Sequence, residues 1–138
     1  MIYMATKNPQ PPRSLGRQLN FTTGRVNALC QKRLDPHDLS LSQWVILSCL
    51  WRDTELTLGM LSDLIGTGLP GTSRIVERMA ERGLVRRRKD TEDRRVIWIT
   101  ATETGQALDH LAPFYETIND ILLAGFSAAE RAQAFDLL

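Results

Sequence analysis

Long apolar runs are missing from this sequence. The longest uninterrupted ones, at residues 44–47 and 121–124, are far short of the roughly 20 apolar residues that cross a bilayer. A helical membrane span is therefore excluded, and no membrane partner is expected. Cysteine is scarce too. Cys30 and Cys49 are the only two, and neither lies in a CxxC pair, so zinc-ribbon and thioredoxin-like chemistry have no support. Two isolated thiols suit a reducing compartment, which points to the cytoplasm. The two histidines, His37 and His110, stand alone without a carboxylate cluster at metal-ligand spacing, so no metal site is expected. No Ser/His/Asp spacing, glycine-rich phosphate loop or paired-carboxylate site stands out. The sequence therefore does not read as an enzyme, and it implies no cofactor.

What is present is the profile of a globular protein: 138 residues, 43% hydrophobic and 24% charged. A chain of this size buries about 70% of its unfolded surface and needs no staples. Pro9, Pro11 and Pro12 crowd the N-terminal stretch, which has no long apolar core segment. Residues 1–14 thus read as a flexible arm and not as a signal peptide. Residues 15–138 read as a single domain.

The net charge of +1 conceals an uneven distribution. Residues 1–73 carry a net +2, residues 74–95 a net +4 with nine basic groups, and residues 96–138 a net −5. A short basic block beside an acidic tail is expected where one surface meets phosphate; a solvated charged face is the other reading.

Along the chain, Leu15, Leu19, Thr22, Val26 and Leu29 recur at intervals of three and four, predicting a long seamed helix that Pro36 ends. Ser40 or Ser42 can cap a second helix, and Thr57 a short third one bearing Leu58, Leu61, Leu64 and Ile65. Gly66-Thr67-Gly68-Leu69 reads as a turn, with Pro70 opening a helix that runs to about Arg82 and stops at Gly83. On that helix Thr72, Ile75, Val76 and Met79 share one face; Arg74, Glu77, Arg78 and Glu81 share the other. Two strands follow, residues 84–88 and 95–101, joined by a polar tip at residues 89–94. Thr102 would cap a long helix with Leu108, Leu111, Tyr115, Ile118 and Leu122 in register, kinked at Pro113. Ser127 and Glu130 form a capping box for a last helix. The fold class is mainly α with a small β-hairpin wing. Seamed helices at both ends cannot bury their seams alone, so a partner is expected.

A short helix, a glycine turn and a helix with an arginine-bearing outer face fit a helix-turn-helix. Such a second helix lies in the major groove of double-stranded DNA with its N-terminal residues at base edges. Here those are Pro70, Gly71, Thr72, Ser73 and Arg74. Small Gly71 and Ser73 permit close approach. The Arg74 fork matches guanine O6 and N7, and Arg78, one turn on, suits phosphate. At the hairpin, Arg88 belongs to the basic block, and Asp93-Arg94-Arg95 places two arginines beside one carboxylate. A narrow minor groove attracts inserted arginine, and the carboxylate can orient one guanidinium. A surface ion pair of little energetic weight is the plainer reading.

The segments 41–47, 56–61, 72–85, 90–95 and 102–105, in this order and spacing, resemble the MarR (multiple antibiotic resistance regulator) family of winged helix-turn-helix regulators. The resemblance covers about residues 15–138. It implies that Arg95 is the minor-groove arginine and Arg94 a neighbouring phosphate contact. It implies a homodimer built from residues 15–37 and 102–138 around a DNA-binding lobe at 40–101, with the wing at 84–101. It also implies a ligand-responsive repressor on a pseudo-palindromic operator. A pocket for a small effector, with an aromatic acid as the guess, would lie between the dimerisation helices and the lobe. Arg25, Trp44, Leu47 and Trp51 are its candidate lining residues. Where the family's hydroperoxide sensors carry a reactive cysteine, this sequence reads Leu19-Asn20-Phe21, so Cys30 and Cys49 read as buried small hydrophobes. The alternative function is a winged-helix protein-interaction module without specific DNA binding, which would not need the outward arginines.

Overall fold

Hydroxyl caps open five of the seven α-helices among the described residues. In the computed structural model, which describes residues 13–138, the Ser14 side chain accepts the Arg17 N–H and opens α1 (Leu15–Leu34). The expected N-terminal arm lies, up to residue 12, outside the described residues. A 3₁₀ turn, Asp35–His37, holds Pro36 and ends α1. Ser40, not Ser42, caps α2 (Leu41–Asp53): its Oγ accepts the Gln43 N–H at 3.2 Å, and Gln43 Oε1 accepts the Ser40 N–H at 3.1 Å. Thr57 caps α3 (Leu58–Ile65) by accepting the Met60 N–H. The next helix, α4 (Gly68–Glu81), begins two residues before the expected start at Pro70. Proline is harmless there because the first four N–H groups of a helix have no partner within it. Gly83 takes a φ of 70°, and the Leu84 N–H reaches back to the Met79 carbonyl at 2.9 Å, closing α4 as the glycine suggested.

The hairpin forms from β2 (Val85–Lys89) and β3 (Ile97–Ala101), with Val85 opposite Ala101 and Arg88 opposite Trp98. A third strand, β1 (Glu55–Thr57), pairs with the other edge of β3, giving the antiparallel order β1-β3-β2. The sequence reading missed β1 because three residues are too few to display alternation.

The C-terminal segment departs most from expectation. The single long helix from Thr102 is instead α5 (Glu103–Gln106), a 3₁₀ turn (Asp109–Leu111) and α6 (Phe114–Leu122), followed by α7 (Ala128–Asp136). Pro113 does not kink a continuous helix; it caps the start of α6. Its ring excludes the carbonyl four residues back and removes an N–H, which breaks the ladder outright. The capping box of Ser127 and Glu130 opens α7 as read.

The core forms around α2. Leu34, Ile46, Leu47, Leu61, Val76, Met79 and Ile99 are fully buried, drawn from α1, α2, α3, α4 and β3. The Trp44 indole N–H donates to the Leu111 carbonyl at 2.9 Å, and that of Trp51 to the Gly105 carbonyl at 3.0 Å. Trp44 also meets Phe114 edge to face, with ring centroids 4.9 Å apart. These contacts strap the broken C-terminal segment to α2. No helix among the described residues is long and apolar enough to cross a membrane.

Gly105 is buried where this strap passes the sheet, and a Cβ there would collide with the Leu84 carbonyl oxygen. A backbone atom cannot rotate away as a side chain can. Gly105→Ala is therefore expected to destabilise the fold by about 1–3 kcal/mol, the usual range for an overpacked core, and denaturant unfolding measures it. Wild-type stability in the variant would disprove the packing argument.

Candidate nucleic-acid interface

α4 separates its two faces completely. Thr72, Val76 and Met79 have no exposed surface and Ile75 is half-buried, whereas Arg74, Glu77, Arg78 and Glu81 are exposed. A helix turns 100° per residue, so the sequence alone forces this division once one side meets the core. Neither Arg74 nor Arg78 takes part in an ion pair among the described residues. Among the described residues both guanidinium groups are thus without an ion-pair partner, and they lie exposed. Pro70 is exposed and Ser73 half-buried beside them.

Thr72 must be corrected. Its hydroxyl donates to the Gly68 carbonyl at 2.8 Å, and the side chain is wholly inside the lobe. A residue without surface cannot touch a base edge, so Thr72 belongs to the core and not to the interface. Gly71 also gains a different reason. A Cβ on it would come within 2.7 Å of Thr67 Cγ2, so glycine makes room for the side chain that precedes the helix. At its far end α4 is tied down through Arg82, which donates to Asp38 at 2.9 Å and to Gln43 at 3.1 Å.

In the wing, Arg86, Arg87, Arg88 and Lys89 all lie exposed along β2. Arg88 is half-neutralised by Glu55 on β1, 2.8 Å away, so it braces the sheet as well as charging it. The tip is built around two carboxylates. Asp90 accepts the N–H groups of Glu92 and Asp93 and the Trp98 indole N–H at 2.8–3.0 Å. Asp93 accepts the Arg95 main-chain N–H at 3.1 Å and, bidentately, its Nε and Nη2 at 3.0 Å. The Arg95 fork is thus held at its base while 92% of the side chain stays exposed. Arg94 is exposed with no ion pair among the described residues.

These bonds favour the charged carboxylates. The Arg95 guanidinium and main-chain N–H hold Asp93 below the ordinary carboxylate range. The N–H of Asp93, the Trp98 indole and the N–H of Glu92 do the same for Asp90. A depressed pKa contributes order above the ordinary carboxylate value and loses it only as pH falls through the lowered one. The tip therefore keeps its shape throughout the neutral range. Sequence reading missed Asp90, although an aspartate at a strand end with free N–H groups two and three residues on is a recognisable turn signal.

The four residues expected to line an effector pocket do not converge. Leu47 is a fully buried core residue, and Trp44 and Trp51 are spent on the C-terminal strap. Arg25 lies elsewhere on α1, 5.8 Å over the Phe21 ring, beside a groove of about 440 Å³ that also touches Val26, Leu29 and Leu122. A smaller cleft of about 240 Å³ opens between the end of α1 and the start of α6. Arg33, Leu34, His37, His110, Leu111 and Phe114 line it, and the two histidine rings stand 6.1 Å apart. Far apart in sequence, His37 and His110 meet because the turns before α2 and α6 converge. Among the described residues no third potential ligand joins them to hold a metal.

Cys30 and Cys49 are buried as read, and desolvation pushes both thiols up from their ordinary pKa. Little thiolate is available, and thiolate is the reactive form. Both should react far more slowly with a thiol reagent in the folded protein than in denaturant. Cys30→Ser and Cys49→Ser should leave the response to mild peroxide unchanged. Fast native-state labelling, or a peroxide response lost in either variant, would overturn this.

Comparison with known proteins agrees with the geometry. Residues 39–97 match the model of the MarR family. The uncharacterized HTH-type transcriptional regulator YwaE of Bacillus subtilis is 27% identical over 99 residues, 71% of this chain and 58% of the relative. The matched stretch thus spans less than two thirds of that relative. Bordetella bronchiseptica BpsR, solved in a study of how 6-hydroxynicotinic acid regulates its DNA binding, has a TM-score of 0.81 at 26% identity, over 91% of this chain and 96% of its own. S. aureus MepR, solved as a DNA complex, shares the fold with a TM-score of 0.83 at 17% identity, over 91% and 93% of the two chains.

Proposed function

We propose that the chain is a MarR-family transcriptional regulator, one that binds a pseudo-palindromic double-stranded operator as a homodimer and releases it on binding a small effector. One observation carries the DNA reading. The face of α4 opposite the core presents Arg74 and Arg78 with no ion-pair partner among the described residues, while a carboxylate clamp holds Arg95 outward at the wing tip. Unpaired, oriented cations on two separate projections are what a groove and its flanking backbone can use, and a protein-interaction module has no need of them.

In this reading α4 enters the major groove. Arg74 reads a guanine, Pro70 and Ser73 fill the approach to the base edges, and Arg78 meets phosphate. Arg95, oriented by Asp93, enters the minor groove, with Arg94 and Arg88 along the backbone. Arg74→Ala should cost about 1–3 kcal/mol and relax preference at one base pair per half-site. Arg95→Ala should weaken binding to many sequences and flatten the salt dependence, most at sites with A·T-rich flanks. Asp93→Ala should give a milder form of the Arg95 defect, because the guanidinium remains but swings free. Titration of the three variants against one operator at two salt concentrations separates the roles. Near-zero effects for both arginines would favour the protein-interaction alternative.

The dimer reading rests on apolar surface that the single chain leaves uncovered. Leu15, Leu19 and Phe21 on α1, and Ile121, Leu122, Phe126 and Phe135 toward the C-terminus, are 39–76% exposed. A second copy would cover both ends, and its two recognition helices would meet half-sites about one helical turn apart. Sedimentation should give a dimer at micromolar concentration and footprinting a two-fold symmetric protection; a monomer with an asymmetric footprint would refute it.

For the effector, the cleft lined by Arg33, His37, His110 and Phe114 replaces the four residues first considered. It joins cationic and aromatic groups between the helical ends and the lobe, chemistry that suits a small aromatic acid. BpsR, with the same fold, responds to such a molecule.

A further inference from the structure

Within residues 40–101, the large apolar side chains left markedly exposed are Met60, Leu64 and Leu69, at 50%, 52% and 54%. The other such residues lie on α1 or beyond Thr102, where a partner subunit would cover them. These three lie on the helix-turn-helix itself. Met60 and Leu64 are one turn apart on α3, and Leu69 is the second residue of α4.

Leu69 stands out by its position. It precedes Thr72 and Val76 by three and seven residues, spacing that would place it over the buried face, and both of those are fully buried. Yet Leu69 is not packed against the core. Leu69 lies in the first turn of α4, where about half of its side chain stays exposed. That first turn leads into the major groove in the binding mode proposed above, on which this inference rests. Four residues on lies Ser73, and five residues on lies Arg74, about 7.5 Å further along the axis. Five residues also turn the helix by about 500°, so Leu69 points about 140° away from Arg74 and, at the leading end of the helix, can meet a different base pair from the one that Arg74 reads.

We propose that Leu69 is a specificity residue that reads the C5-methyl group of a thymine outside the base pair contacted by Arg74. The methyl is the one apolar group on the major-groove edges of the four bases. A half-exposed leucine gains by removing it from water and needs no hydrogen-bond geometry to do so. A serine or arginine in the same turn cannot make that distinction. The two half-sites of a dimer would each contain such a thymine.

The test uses the full chain and duplexes selected by it from a random pool. Each thymine of the selected site is replaced singly by deoxyuridine, which removes only the methyl group. In the parent protein one position per half-site should lower affinity about fourfold, the size expected for one methyl group taken from water. Leu69→Ala, checked for native helicity, should bind the thymine and uracil duplexes equally, while Leu69→Met should retain the preference. Met60→Ala and Leu64→Ala should retain it too, since the first helix of the motif crosses the backbone and does not enter the groove. A uracil penalty undiminished in Leu69→Ala, one lost instead in Met60→Ala or Leu64→Ala, or none at any position of a specifically bound duplex, overturns the assignment and leaves the DNA reading standing. If no specific duplex is selected, the DNA reading fails and this inference falls with it.

Discussion

Helix α2 supplies five buried side chains to the core, and the outward parts of the lobe are positioned against it. Trp44, Ile46, Leu47, Cys49 and Leu50 are buried along thirteen residues. α3 and α4 lie on it, β3 crosses it, and the two indole N–H groups hold the C-terminal segment to it. Burying apolar surface fixes where α4 lies but has no direction of its own. The indole bonds add direction, since each must find a carbonyl or leave a donor unpaired in the interior. Among the described residues no buried side-chain donor or acceptor is left unpaired.

That constraint explains why α4 can carry unpaired cations. Three of its side chains, Thr72, Val76 and Met79, are fully inside, and Arg82 ties its far end to Asp38 and Gln43. The helix needs nothing from its outer face for stability. Arg74 and Arg78 are free to remain solvated until something anionic replaces the water. The wing follows a different rule. It is a thin hairpin with few buried side chains, so hydrogen bonds order its tip. Asp90 gathers three N–H donors and Asp93 another three, all from groups within eight residues. One projection is thus rigid by packing and the other by local polar contacts.

The charge distribution fits this division. The basic block coincides with α4 and the hairpin, and the acidic excess falls on the segment after β3, whereas α1 carries four basic side chains and no acidic one. Like charges would repel if the C-terminal segment also approached phosphate, so that segment and the basic block are electrostatically unlike. The exposed apolar side chains are concentrated at the same acidic end and on α1. Attraction to phosphate and burial of apolar surface therefore act on different faces of the protein.

Local rules sufficed for much of this. Caps at Thr57 and Ser127, the stop at Gly83, the two faces of α4 and the pairing of Asp93 with Arg95 each depend on residues within a turn or two, so their spacing in the sequence was enough. Tertiary structure decided what depends on meeting a distant segment. β1 is a strand only because β3 offers it an edge, and three residues carry no pattern of their own. The helix after Thr102 breaks because Pro113 removes a bond while Trp44 and Trp51 capture carbonyls some 54–67 residues away. Thr72 looked like a contact residue until the core closed over it. Trp44, Leu47 and Trp51 looked like a pocket, and His37 and His110 like isolated histidines, because helical spacing shows which residues share a face but not what that face meets. The chain itself determined its elements and the chemistry each one displays. Which displayed groups remained at the surface was settled only when α2 was buried, since burial depends on every neighbour at once.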